Sequence, residues 1–223
     1  MTLPRSIDPL LRLLAWMSPA FPVGAFSYSG GLETAVSDRR VSSATDLMAW
    51  ISMLLQRGTL WNDAVLLSCA WQCHGDQEEL AELTALARAL AGSAERHRET
   101  VLMGDAFVDA ASAWPHSILE QFGKATPYPV AVGAIDAAHG VGRDAILLAY
   151  LHSAASQLIS AGIRLGVAGQ RDGVAMLAQL EITLSDVAAR TAISTLDDLG
   201  SATILADTAS MRHEIQETRL FRS

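Results

Sequence analysis

Apolar residues recur along almost the whole chain at helical spacing. Leu47, Trp50, Ile51, Leu54 and Leu55 fall at i, i+3, i+4, i+7 and i+8, one stripe of a helix, and Thr45-Asp46 ahead of them can cap it. Asp76 caps the next segment, where Leu80, Leu83, Ala87 and Leu90 line one face. Gly92-Ser93 closes that helix and opens another over residues 96–113, which Trp114-Pro115 breaks. Pro127-Tyr128-Pro129 is a rigid connector before an apolar stretch at 130–138. Gly140 and Gly142 mark a turn, and an uncharged helix runs from 144 to about 166. Gly169 and Gly173 form a second glycine-rich break, followed by helices over 176–180, 185–197 and 201–217. Strand alternation and hairpin dipeptides between alternating runs are scarce, and neither a long Pro/Ser linker nor an internal repeat divides the chain. The pattern predicts an all-α fold: a single globular domain of roughly ten helices over residues 1–223, with 218–223 as a tail.

One segment breaks the pattern. Behind a short amphipathic helix at 9–17, residues 18–33 read Ser-Pro-Ala-Phe-Pro-Val-Gly-Ala-Phe-Ser-Tyr-Ser-Gly-Gly-Leu-Glu, and no charge occurs between Arg12 and Glu33. Pro19 and Pro22 each remove an amide donor and hold the preceding residue out of the α region. Gly24, Gly30 and Gly31 permit backbone angles closed to other residues, while Phe21, Phe26 and Tyr28 add large apolar surface. The segment is either a core-packed turn between helices or the wall of a binding surface shaped by Tyr28, Ser29, Gly30 and Glu33.

Charge and composition narrow the classes. Half of the 223 residues are hydrophobic and the formal net charge is −8. That balance argues against a nucleic-acid binder, which needs a basic face. Residues 145–163 are uncharged over a membrane-spanning length, but His152, Ser153, Ser156, Gln157 and Ser160 interrupt them, so they read as a buried central helix rather than a span. The N-terminal stretch, broken by Arg12 and prolines, is a poor signal peptide. The two cysteines, Cys69 and Cys73, do not make a disulfide framework, and a reducing cytoplasm fits them. With His74 they offer the one alternative chemistry, a small metal-binding or redox protein, although a closed site needs four ligands. The P-loop, dinucleotide-binding and nucleophile-elbow patterns are missing, and His213-Glu214 lacks the second histidine of a zincin. His97, His116, His139 and His152 stand singly. The pairs Asp105/Asp109 and Asp197-Asp198 read as solvated surface. No catalytic residue, metal ligand or cofactor is therefore assigned, and binding is favoured over catalysis.

The end of the chain carries the other unusual pattern. Ile204, Leu205, Thr208, Met211 and Ile215 keep one helical stripe, but Leu220-Phe221 lies beyond it, flanked by Arg219 and Arg222. An apolar pair on an overhang either folds back on its own core or docks on a partner. Burying both residues contributes on the order of 3–5 kcal/mol before ordering costs, and the arginines suit bidentate contacts with carboxylates. The two courses predict opposite exposures for Phe221.

Both ends resemble the signatures of one family, the UreF urease accessory proteins. Residues 18–33 are similar to its N-terminal signature. His213-Glu214-Ile215-Gln216-Glu217-Thr218-Arg219-Leu220-Phe221-Arg222-Ser223 resembles its closing pattern His-Glu-x-Gln-Tyr-Ser-Arg-Leu-Phe-Arg-Ser, with Glu217-Thr218 in place of Tyr-Ser. Three inner stretches add to the likeness. Arg98-Glu99-Thr100-Val101-Leu102-Met103-Gly104 resembles a Met-Gly helix, Pro129-Val130-Ala131-Val132-Gly133 a Pro-Val-x-x-Gly start, and Gly169-Gln170-Arg171-Asp172-Gly173 a Gly-Gln-x-x-Gly loop that here follows Val167-Ala168 instead of Pro-Leu. The resemblance implies an all-helical, homodimeric, non-enzymatic chaperone of nickel insertion. It implies a bridge between the H-type (also D-type) accessory protein and the G-type GTPase on apo-urease, away from nucleic acid and membrane. It also implies that His213, Glu214, Gln216, Arg219, Leu220, Phe221 and Arg222 serve the H-type contact.

Overall fold

The computed structural model describes residues 8–223 of the chain, and residues 1–7 of the expected 1–223 domain lie outside the described residues. Ten α-helices follow one another: α1 (Pro9–Trp16), α2 (Leu32–Ser37), α3 (Ala44–Arg57), α4 (Thr59–Cys73), α5 (Gln77–Ala89), α6 (Ala94–Ala111), α7 (Tyr128–Ala138), α8 (Arg143–Arg164), α9 (Gln170–Thr191) and α10 (Ile204–His213). Short 3-10 turns occur at Ala25–Ser27, Ser117–Gln121 and Leu196–Asp198, and the described residues include no strand. The fold is all-α, as the spacing predicts.

Side-chain caps set several starts. Asp76 accepts from the amides of Glu78 and Glu79, and Ser93 from that of Arg96. The α3 cap is Ser43, accepting from Asp46 N, so Thr45-Asp46 lies inside the helix rather than ahead of it. The break expected within 180–185 does not occur: α9 runs unbroken for 22 residues because Met176, Leu180, Leu184 and Val187 continue one buried stripe. The last helix stops at His213 rather than at 217. Its stripe is real but turned to solvent. Ala206, Ala209 and His213 face inward, and Ile204, Leu205, Met211 and Ile215 are exposed. Among the described residues, α8 alone is long and apolar enough to cross a membrane, and half of its apolar window is buried in the protein, the place of a core helix.

The centre of the molecule is α4 against α7. Every residue of α7 from Pro129 to Asp136 is buried. Gly133 makes this contact close: a Cβ there would sit 2.3 Å from the Leu67 carbonyl oxygen on α4. Gly104 on α6 faces the Thr126 oxygen in the same way, at 1.9 Å. The glycines of the inner motifs are thus contact points between backbones. Gly133→Ala is expected to destabilise the protein by about 1–3 kcal/mol, the usual cost of overpacking. Thermal unfolding would report it, and an unchanged Tm would mean that α7 is free to shift away from α4.

Candidate functional site

Residues 18–33 and 213–223 lie against each other, and α6 and α8 complete the arrangement. The N-terminal segment is held first. Phe21 packs on Phe107, with ring centroids 5.4 Å apart, and Trp16 meets the same ring edge-on at 6.0 Å. From α8, Gln157 Nε2 donates to the carbonyls of Ala25 and Tyr28, and Arg164 donates to the Phe26 oxygen at 2.6 Å. Gly30 and Gly31 both have positive φ, and a Cβ on Gly31 would meet Ser210 N of α10 at 2.7 Å. The Gly-Gly pair lets α2 start flush against α10.

The tail folds back onto this surface. His213 is fully buried; its Nδ1 faces Glu95 Oε2 at 2.7 Å and its Nε2 faces Glu33 Oε2 at 3.1 Å. Each ring nitrogen thus has a carboxyl oxygen as its partner. Arg219 donates to Glu95 Oε1 at 2.7 Å. Glu33 also accepts from the amides of Leu220 at 2.6 Å and Phe221 at 2.9 Å. The Ser29 amide and hydroxyl both donate to the Ser223 backbone oxygen, the amide at 2.7 Å, and the Arg222 amide donates to Ser27 O at 2.7 Å. Phe221 is 4 % exposed and lies beneath the Arg164 guanidinium, 4.2 Å from its carbon.

A second ionic group lies below. Arg96 bridges Asp63 at 2.5 Å and Glu99 at 2.9 Å, Tyr150 donates to Asp63 at 3.0 Å, and Ser223 donates to Glu99 at 2.9 Å. Burial pushes the Glu99 carboxyl and the Tyr150 phenol up, and the two carboxylates hold Arg96 firmly in its charged form. Burial also raises the Tyr28 phenol, helped by Glu99 and opposed by Arg222. Arg96 and Glu99 form part of the wall of a cavity of about 590 Å³ that Phe21, Phe26 and Phe221 also line.

The structure therefore divides the expected site residues. Tyr28, Ser29, Glu33, His213 and Phe221 are buried and hold the tail. Gly30, Glu214 and Gln216 are half-buried: Gly30 lines the cavity, Glu214 accepts the Ala94 amide, and Gln216 accepts from Thr34. Leu220 and Arg222 are exposed, whereas the Arg219 guanidinium turns back onto Glu95 and the carbonyls of Glu214 and Gln216. Sequence reading missed Glu95 as the partner of His213. A Glu in the first turn of a helix, followed by Arg96, reads as solvated surface. Asp105 also differs from expectation, since it accepts the amides of Ala125 and Thr126 rather than facing solvent. His116 and His139 do not stand singly: their rings lie 4.9 Å apart. Burial, with Arg12 and His116 nearby, lowers His139 to about 4.

The alternative centre does not assemble. Cys73 is buried, Cys69 half-buried, and His74 Nδ1 is within 2.8 Å of the Trp71 carbonyl. Burial raises both thiols, Cys73 to about 11, against the thiolate that a metal site needs. Among the described residues no three His, Cys, Asp or Glu side chains are grouped to hold a metal ion.

The comparisons agree with the motifs. The sequence profile of UreF matches residues 41–181. A urease accessory protein UreF from Agrobacterium fabrum is 63% identical over 217 residues, 97% of each chain. Proteins of that name from two Rhizobium strains, R. etli CIAT 652 and R. leguminosarum bv. trifolii WSM2304, are 60% and 58% identical over the whole of both chains. These full-length likenesses include both end segments, which the profile match leaves out.

Proposed function

The chain belongs to the UreF family of urease accessory proteins, and from that premise we propose that it is a non-enzymatic, homodimeric cytoplasmic scaffold for nickel insertion into apo-urease. It bridges the H-type accessory protein and the G-type GTPase and couples nucleotide state to nickel delivery. The H-type protein docks on the outer edge of the seated tail. One observation supports this assignment: the two end segments form a single unit that leaves the Leu220 and Arg222 side chains exposed. Leu220 is 54% exposed and Ile215 82%, and the amides of Leu220, Phe221 and Arg222 are each hydrogen-bonded to the body. Exposed apolar and arginine side chains on a held backbone favour association, because little ordering remains to be done. His213, Glu214, Gln216 and Phe221 support the contact from behind, as do Tyr28, Ser29, Gly30 and Glu33.

The test is titration of the purified full-length protein with its H-type partner. The Leu220→Ala variant changes only an exposed side chain. It is expected to weaken binding by about 10-fold or more with Tm unchanged. Full affinity in that variant would place the contact elsewhere on the molecule.

A further inference from the structure

We infer that the junction of α1 with α7 is a binding site for a small monovalent anion of halide type, held by N–H groups of Arg12, Trp16 and His139. The site does not depend on the function proposed above. Arg12 and Trp16 lie four residues apart on one face of α1, and His139 ends α7 against both. Arg12 Nη1 is 2.6 Å from His139 Nδ1, and the Trp16 and His139 rings cross edge to face with centroids 5.1 Å apart. Three nitrogens of this group, Arg12 Nε, Trp16 Nε1 and His139 Nε2, are buried with no hydrogen-bond partner among the described residues. Orphaned polar atoms on three side chains in mutual contact point to a ligand, because buried polar groups are ordinarily paired.

All three nitrogens are donors. A guanidinium cannot accept a hydrogen bond, so His139 Nδ1 is the acceptor of the Arg12 contact and the ring proton sits on Nε2. Burial, with the Arg12 charge, lowers His139 to about 4 and keeps the ring in this neutral form. The surroundings supply no acceptor. His116, whose ring lies 4.9 Å from that of His139, uses its Nδ1 to accept the Ile118 amide. Phe107 and Trp114 enclose Trp16 from other sides. Asp136, one turn earlier on α7, does not reach the group, since neither of its oxygens has a partner. The Arg12 contacts among the described residues are both to His139, and residues 1–7 contain no Asp or Glu.

Three donors beside one unbalanced positive charge complement an anion. A water molecule would accept two of these bonds and then need acceptors for its own two protons. A metal cation would meet the guanidinium and find no free lone pair. One guanidinium balances one negative charge, and a monovalent ion is stripped of water at less cost than a divalent one. The ion would matter to α1 because that helix turns Leu10, Leu11 and Leu14 to solvent and buries only Leu13 and Trp16. It pins the helix at the point where residues 18–33 begin.

The test uses the full-length protein in sodium gluconate, titrated with sodium chloride or sodium bromide at constant ionic strength. Tm is expected to rise and saturate with either halide, as it does for a ligand that binds only the folded state. Crystals in bromide are expected to show an anomalous peak within hydrogen-bond distance of the three nitrogens. Trp16→Phe removes one N–H and keeps an aromatic ring; it should weaken the halide response by about 10- to 100-fold. Should that variant fail to fold, Arg12→Lys keeps the charge, loses Nε, and is expected to act in the same direction. A wild-type Tm that responds to chloride no differently from gluconate would overturn the site, as would an undiminished response in the variant. A bromide peak without the Tm response would mean binding at crystal concentration only, and a peak without anomalous signal would mean water; either also overturns it.

Discussion

Replacing His213 by alanine is expected to lower the unfolding free energy by about 3–5 kcal/mol, the cost of leaving two buried carboxyl groups short of a partner, and Tm by roughly 6–20 °C for a chain of this size. The imidazole is fully buried between Glu33 and Glu95, themselves 7% and 4% exposed. Alanine leaves Glu33 Oε2 and Glu95 Oε2 without the imidazole between them. The loss comes from buried polar atoms left without a partner more than from the value of the contacts themselves. Urea unfolding would measure the loss. A cost below 1 kcal/mol would mean that the cluster opens to solvent and that the tail is not held as described. Because Glu33 also holds Leu220 and Phe221, the same substitution should release the tail and reduce capture of the H-type partner.

The sequence makes the helices visible and hides their partners. Leu47 to Leu55 and Leu80 to Ala87 are buried stripes as their spacing predicts. The continuity of α9 was also legible, in Met176, Leu180, Leu184 and Val187, but the polar and exposed residues from Glu181 to Ser185 mask it. The stripe on α10 shows that periodicity gives the face and not its direction. Ile204, Met211 and Ile215 share a side as expected, yet the small residues Ala206 and Ala209 are the ones pressed inward, where α2 comes close through Gly31. Both end motifs stand out in the sequence as irregular apolar segments. That they meet is not legible, because the contacts join residues more than a hundred positions apart, such as Glu33 with Phe221 and Glu95 with His213. Nothing in a helical repeat marks Glu95 as buried. Its role follows only from the fold that brings α6 beneath the tail.

Behind that surface, Asp136 contributes its own pH dependence to the stability of the fold. It sits on α7 with no exposed surface, and neither carboxyl oxygen has a hydrogen-bond partner. Burial raises its pKa well above the ordinary carboxylate range, so the folded protein holds it as the neutral acid. The unfolded chain ionises it near ~3.9. Between that value and the raised one, unfolding releases a proton that the native state keeps. The stability this group contributes is therefore complete at acid pH and is lost as pH rises, by about 1.4 kcal/mol per pH unit through the window. Asp136→Asn cannot ionise and removes this slope. Urea unfolding of wild type and variant from pH 4 to pH 6 should show the variant gaining stability relative to wild type as pH rises, with the two nearest each other at the acid end. Parallel curves would mean that Asp136 is already ionised in the fold, held by a donor that its two unpaired oxygens do not reveal. The expected divergence would instead identify α7, the helix pressed hardest against α4, as carrying a group that costs the native state stability at neutral pH, in contrast to Glu33 and Glu95, whose carboxyl groups the tail supplies with donors.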